Sequence, residues 1–403
     1  MFLNGCNKSV RNFPRYALAE RRSVAFLLIS CKRFWRSWSQ SFNNFAQFAA
    51  AKEKRTANAY SISAWVTNSF GEDMTLAKVQ IPEIQRPNQL LIKVKASSIN
   101  PIDVLMQKGY GDGILTCLKQ IDARALTPLS RLPLITGRDC SGIVEYVGGG
   151  VTKFKKGDEI MAVINPSQSG AHAEYALVNE CFCVHKPKNI SFVDAASLPY
   201  VACTAWSALV TFGRINSSNA HKNNVLIHGG AGGVGSTAVQ FLKAWNANKI
   251  VVTCSKNAFE LVESLGALPI DYESETVKDD LVNEGPFDLV LDCVHSPLCE
   301  WSDRVLGIWR NSVHISIVTP IVNDLDQHGV PFGFASTAMK TFYRAIGMKA
   351  IIDKIYSFDE MPLAFNRLAE GHIKGKVVID FDRKTIQDIP KKDENCDQLL
   401  LNN

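Results

Sequence analysis

Between residues 60 and 200 the chain alternates short apolar runs with glycine and proline. Residues 90–96, 143–147, 159–163 and 173–178 each read as a strand, and Lys155-Lys156-Gly157-Asp158 as a turn between strands. This predicts a mostly antiparallel β domain over 60–200. The pattern changes near residue 200. Val225-Leu226-Ile227 reads as a buried strand and runs into a glycine-rich turn. Val234, Ala238, Phe241, Leu242 and Trp245 then fall on one helical stripe. Residues 249–254 predict a strand, 258–265 a helix stopped by Gly266, and 287–292 and 312–318 further strands. Such strand–helix alternation over 201–347 means a doubly wound parallel sheet. Residues 349–358 and 376–381 read as strands around a helix at 362–369, a segment (348–381) returning to the first domain. Residues 382–403 are polar, without a periodic apolar face, and predict a disordered tail.

Composition narrows the class. The 403 residues are 46% hydrophobic and 21% charged, which excludes a disordered chain and leaves room for two domains. No apolar run approaches the roughly 20 residues that cross a bilayer. The 11 cysteines are odd in number and scattered, which argues against a disulfide scaffold and for a reducing compartment. The net charge of +5 is unevenly placed: residues 1–55 hold eleven Lys or Arg against Glu20 and Glu53, and the remainder is mildly acidic. The body therefore carries no nucleic-acid footprint. Within the leader, Phe34, Trp35, Trp38, Phe42, Phe45 and Phe48 recur at three- and four-residue steps among basic and polar residues. That is the form of a mitochondrial transit peptide. The apolar run at 24–29 is the feature a secretory signal would share. The charges before it, and Lys32, Arg33 and Arg36 after it, weigh against that reading.

The candidate chemistry begins at His228-Gly229-Gly230-Ala231-Gly232-Gly233-Val234-Gly235. Gly230, Gly232 and Gly235 have the dinucleotide-binding spacing, after a strand and before a helix. The first glycine allows the tight turn, the second a close approach to pyrophosphate, and the third close packing of helix on strand. The helix N-terminus then faces the phosphates. A site for NAD usually places an acid at the end of the second strand. Here the strand ends Thr253-Cys254-Ser255-Lys256, so Ser255 and Lys256 can meet a 2′-phosphate, and the expected cofactor is NADPH. Lys256 as a plain solvated lysine is the competing reading.

A metal is not expected. Catalytic zinc needs three protein ligands and structural zinc four. Cys181 and Cys183 form one close pair only, and Cys140 and Cys203 read as packed thiols.

Together these residues resemble the zinc-free quinone-reductase branch of the medium-chain dehydrogenase/reductase superfamily. The resemblance rests on Ser98-Ile99-Asn100-Pro101-Ile102-Asp103, Gly137-Arg138-Asp139-Cys140-Ser141-Gly142, Phe154-Lys155-Lys156-Gly157-Asp158-Glu159, Ala195-Ala196-Ser197-Leu198-Pro199 and the glycine turn, and spans residues 60–381. Zinc-type members carry a His and a nearby acid where this chain has Arg138 and Cys140. The resemblance implies an α/β fold, a GroES-like β-rich domain joined to a Rossmann sheet. It implies an NADPH-dependent quinone reductase tied to coenzyme Q metabolism and respiration. It also implies a reticulon-type or respiratory-chain protein partner and peripheral membrane association. An NADPH-binding assembly role with little turnover and an enone reductase are the alternatives.

By position, Gly232, Gly233, Val234, Gly235 and Ser236 would hold the pyrophosphate and Ser255 the 2′-phosphate. Tyr272 and Cys293 would border the adenosine half, and Thr319 would approach the nicotinamide. His372, Lys374 and Lys376 would close on the cofactor from the returning segment. Asn100, Asp103 and Tyr110 would line the substrate cleft, where Tyr110 or Asp103 could polarise a carbonyl or relay a proton. Read as plain structure, Asp103 is a helix cap, Asn100 a backbone brace, Tyr110 a packed ring and His372 a surface residue. Two departures stand out. Val294 is followed by His295-Ser296 where the family has two glycines. Between Pro320 and Lys349, no strand and helix can be recognised for the sixth Rossmann unit, which would leave a sheet edge open and bear on dimerisation.

Overall fold

A computed structural model describes residues 61–123, 129–308, 311–317 and 350–383. The leader, residues 318–349 (with Thr319 and the expected gap in the sixth Rossmann unit) and the polar tail from residue 384 lie outside these residues. Fourteen strands are formed among the described residues: β1 Ser61–Val66, β2 Thr75–Gln80, β3 Gln89–Ile99, β4 Asp139–Val147, β5 Glu159–Val163, β6 Tyr175–Asn179, β7 Cys183–His185, β8 Asn224–His228, β9 Lys249–Cys254, β10 Leu268–Asp271, β11 Leu289–Asp292, β12 Val313–Ser316, β13 Ile352–Ser357 and β14 Lys376–Asp380.

The first sheet has the order β13-β14-β3-β4-β5-β7, with β6 also paired to β3. Its pairs are antiparallel except β13 with β14. The last two strands therefore return to the sheet of the first, through Val377 opposite Ile99 and Asp380 opposite Ala96. Its core is Leu90, Ile92, Val94, Val144, Ile160 and their neighbours. β1 and β2 form a separate two-stranded sheet.

The second sheet has the order β10-β9-β8-β11-β12 and is wholly parallel. The sequence of β8 explains its central place. Val225 and Ile227 enter one core with Ala238, Phe241 and Leu242; Leu226 enters the opposite core with Val251, Val290 and Leu281. A strand apolar on both faces is stable only when helices cover both. Between β8 and β11 the strand order reverses, and ligands of open α/β sheets bind at such a switch point.

Ser191 opens the helical stretch between the two sheets: its hydroxyl accepts the Asp194 N–H at 3.0 Å. Helices Phe192–Ser197 and Pro199–Trp206 and a π-helical turn Ser207–Phe212 follow. Here the expectation of no long apolar stretch is corrected. Residues Phe192–Phe212 form a 21-residue helical run that contains an apolar window of mean hydropathy 1.3. Most of it is buried in the fold, where Trp206 packs edge-on against Phe241 and Trp245. Several elements carry no clear sequence pattern: β1, β2, β7, β10 and the helices Pro101–Gln107, Asp112–Ala123 and Val277–Glu284.

Candidate functional site: a backbone cradle beside a buried charge cluster

β8 ends at His228, and the helix Gly233–Ala244 begins five residues later with Gly232 as its N-cap. Each glycine of the spacing has a separate steric reason. A Cβ on Gly230 would overlap the Val252 side chain of β9. One on Gly235 would run into the backbone of Gly229 and Gly230. One on Gly232 would meet only the Gly229 carbonyl, at 3.4 Å, so the space before this residue is open. The first N–H groups of the helix, at Gly233, Val234 and Gly235, have no partner in the preceding helical turn, because there is none. Open space in front of free N–H groups at a positive dipole end fits a phosphate.

The returning segment clamps this turn. The Gly375 N–H donates to the Ala231 carbonyl at 3.0 Å, and Gly232 and Gly375 form a parallel bridge. A small, partly open pocket lies behind it, lined by Val201, Gly233, Ser236, Thr237, Gln240 and Lys376 among others. Ser236 is buried, and its hydroxyl donates to the Gly233 carbonyl at 3.3 Å. Cys293 donates its N–H to the His228 carbonyl at 3.2 Å. The side chains of Val294 and Cys293 lie where a Cβ on Gly229 would point. Burial pushes the Cys293 thiol well up, so it stays protonated.

The tips of β9 and β10 bring a second group together. Ser255 follows β9, and its hydroxyl donates to Asn257 Oδ1 at 2.5 Å. Lys374, from the returning segment, donates to the Asn257 carbonyl at 2.5 Å. Lys256 is exposed and lies 3.4 Å from Asp271 Oδ2, at the end of β10. Tyr272, also exposed, donates its N–H to the Cys254 carbonyl at 3.3 Å. Ser255, Lys256, Tyr272 and Lys374 thus gather at one edge. His372 is exposed, with φ +52°. The end of β9 carries no acid of its own; Asp271 arrives at this edge from the neighbouring strand.

The cleft residues turn out differently. Asp103 is fully buried in the first turn of helix Pro101–Gln107. One oxygen accepts the Asn100 N–H at 2.8 Å; the other accepts the Gly137 N–H at 2.8 Å and lies 3.6 Å from Arg138 Nε. Asp103 is therefore a helix cap and an ion-pair partner, and its assignment to the substrate is corrected. Arg138, also fully buried, donates to the carbonyls of Asn165, Gln168 and Ile135. Asn100 donates to Asp139 Oδ2 at 2.9 Å and accepts from Lys376 Nζ at 2.5 Å. Lys376 is buried too, 3.5 Å from Asp139 and bonded to the Ile99 carbonyl. Its ammonium is committed to this cluster, so the expectation that it closes on the cofactor from outside is corrected: only its stem reaches Gly233. Asp139 also accepts from Ser98 and from the Tyr200 N–H.

Two acids and two cations balance inside the protein. Burial pushes Asp103 and Asp139 up and Lys376 down, against the pull of their partners. Tyr110 sits half-buried in the turn between two helices, flanked by Gly109 and Gly111 at positive φ.

Sequence reasoning missed three residues. Tyr200 lies at the start of helix Pro199–Trp206, its phenol raised by burial and by Asp103 and Asp139. His228 bridges Thr253 and Ser302 at 2.8 Å each, and burial holds its imidazole at about 4. His172 meets the Thr136 hydroxyl at 2.9 Å and is held at about 3 by burial. The signal for His228 was its place directly before the glycine turn.

A model of the alcohol dehydrogenase GroES-like domain matches residues 86–188, and one of zinc-binding dehydrogenases matches residues 265–379. Reticulon-4-interacting protein 1 of Caenorhabditis elegans, named mitochondrial, is 42% identical over 353 residues, which cover 80% of this chain and 96% of that protein. The chain belongs to the reticulon-4-interacting protein 1 family. Its human relative, NAD(P)H oxidoreductase RTN4IP1, mitochondrial, is 34% identical over 86% of this chain and 95% of its own. Among solved structures, a quinone oxidoreductase from Coxiella burnetii matches with a TM-score of 0.64 and 28% identity, covering 79% of this chain and 99% of that one. The chain is thus an oxidoreductase of the medium-chain superfamily, with a GroES-like and a Rossmann-type sheet. The mitochondrial names agree with the location expected from the leader.

These residues fit a nicotinamide dinucleotide: the glycine turn leaves backbone and space where the phosphates would lie. They do not fit zinc. Among the described residues no group of three His, Cys, Asp or Glu could hold a metal ion. Arg138, an obligate cation, fills the interior beside Asp103 instead.

Proposed function

We propose that the chain is a zinc-independent, NADPH-dependent reductase of quinones in the mitochondrion, linked to coenzyme Q metabolism. The observation that carries it is the open backbone cradle at Gly232, with Ser255, Lys256 and Lys374 at the strand tips beyond. The N–H groups at the helix start receive the pyrophosphate, and the two lysines offset the charge of a 2′-phosphate. When bound, the nicotinamide supplies the hydride. What the chain contributes is position. Gly375 on Ala231 fixes the turn against the start of β14, and the Asp139–Lys376 cluster ties β14 to β4 within the first sheet. Tyr110 and Tyr200 are the phenols this reading assigns to an acceptor carbonyl. Asp103 has no part in proton transfer, because both its oxygens are occupied in the interior.

The similarity to a quinone oxidoreductase supports the acceptor class. One relative favours a second reading: the chloroplastic NADPH-dependent alkenal/one oxidoreductase of Arabidopsis thaliana is 32% identical over 94% of both chains. The relatives' name supports a reticulon partner, either beside catalysis or in its place. Residues 1–55 serve as the import leader, and the domains follow the limits 60–200, 201–347 and 348–381.

The test is NADPH oxidation by the purified chain with a short-tailed benzoquinone and, separately, an enone, with and without a chelator. Faster turnover with the quinone, unchanged by the chelator, is the expected result. Preference for the enone moves the assignment to the second reading. Turnover that needs added zinc, or no turnover with either acceptor, defeats it.

A further inference from the structure

Asp271 is the last residue of β10 and lies in register with Cys254, the last of β9. Its carboxylate meets Lys256 just past the tip of β9, at the edge where the 2′-position of the adenosine ribose would lie. The carboxylate is fixed. Oδ1 accepts the Glu273 N–H at 3.0 Å, and the side chain is only 10% exposed. Its partner is not fixed in the same way: Lys256 lies 3.4 Å from Oδ2 but is 82% exposed. A second cation, Lys374, is tied to the Asn257 carbonyl nearby. The edge thus holds two lysines, a hydroxyl and one nearly buried acid.

We propose that Asp271 sets the balance between NADPH and NADH by competing with the 2′-phosphate for Lys256. The proposal rests on the NADPH reading above and adds a residue to it. A 2′-phosphate carries nearly two negative charges. To meet it, Lys256 must leave or share Asp271, and the fixed carboxylate then repels the phosphate across a short distance. A ribose that carries only a hydroxyl meets no such repulsion, and its hydroxyl can donate a hydrogen bond to the acid. Asp271 therefore lowers the preference for NADPH that the two lysines create. It makes the site tolerant of both cofactors.

Binding titrations of the full chain with NADPH and with NADH, followed by fluorescence, test this without reference to the acceptor. Asp271→Asn keeps a side-chain oxygen for the Glu273 N–H and removes the charge. It should tighten NADPH by about three- to ten-fold and weaken NADH slightly, so the ratio rises. Lys256→Gln should weaken NADPH by about ten-fold and leave NADH unchanged or tighter. A ratio that stays level or falls in Asp271→Asn overturns the proposal. If thermal melting shows that this variant is damaged, Lys256→Gln decides, since Lys256 is exposed: equal losses for both cofactors overturn it. Wild-type chain that binds neither nucleotide defeats the NADPH reading itself, and the proposal falls with it. That result is distinct from an altered ratio.

Discussion

The glycine turn and the charge cluster lie side by side, yet they are built on opposite principles. At the turn the working groups are backbone N–H groups, and the side chains matter by being absent. In the cluster every side chain is polar or charged, and every one is consumed by a neighbour. Asp103, Arg138, Asp139 and Lys376 look catalytic in a sequence, but among them no oxygen of the acids is free and both cations are bonded. A glycine spacing reports backbone geometry directly, because each position has one steric cause. A polar motif reports residue type and leaves its direction open.

This division predicts where stability and binding part company. The largest effect is expected at Arg138. Replacing it with Met leaves Asp103 charged and buried without its cation. Breaking one side of a buried pair costs about 3–5 kcal/mol. Denaturant unfolding should show that loss, and the nucleotide affinity of the protein that remains folded should change little. The double replacement Arg138→Met with Asp103→Leu should recover part of the stability. Lost NADPH binding at full stability would place Arg138 with the cradle and end the comparison as drawn.

The same contrast explains what was legible in the sequence. β5 and β9 match their predicted limits residue for residue, since each is a clean apolar run. β10 was missed because Leu268-Pro269-Ile270-Asp271 is short and contains a proline, which argues against a strand. Among the described residues it pairs only with β9, as an edge strand. Missing β10 also hid Asp271, since nothing in the chain order says which strand tip will stand beside Lys256. The return of β14 to β3 was suggested by the broken strand–helix rhythm. That Lys376 would bury its ammonium against Asn100 and Asp139 was not, because this depends on a pairing across more than 230 residues.

Acid should expose the histidines of the two regions. In an unfolded chain an imidazole titrates near 6.5. In the fold, burial holds His228 at about 4, against the pull of Asp292, and His172 at about 3. As pH falls, the unfolded chain therefore takes up protons first. Their contribution to stability is whole above pH 6.5 and is lost as pH falls through 6.5 towards the folded values. For His228 the loss reaches about 3 kcal/mol by pH 4. Unfolding free energy measured between pH 7.5 and 4.5 should fall with a slope that steepens below pH 6.5, towards about two protons in the wild type and about one in His228→Asn. Identical slopes would mean that His228 is already protonated in the fold, and that the clamp on Thr253 and Ser302 is not the neutral bridge described.

The smallest effects separate the glycines from one another. Gly235→Ala sets a methyl group against the backbone of Gly229 and Gly230, which cannot yield without moving the turn. Overpacking of this kind costs about 1–3 kcal/mol. Gly232→Ala sets its methyl group in open space, at an ordinary φ of −72°, and costs at most about 1 kcal/mol as a poorer N-cap. That methyl group nonetheless occupies the approach to the helix start, so NADPH affinity should drop by about ten-fold or more. Thermal melting and nucleotide titration on the same two variants read both quantities. The expected pattern is a lower melting temperature for Gly235→Ala, and weak binding at a nearly normal melting temperature for Gly232→Ala. If Gly232→Ala bound NADPH as the wild type does, the phosphates would lie elsewhere, and the open space before Gly232 would have to be explained by packing alone.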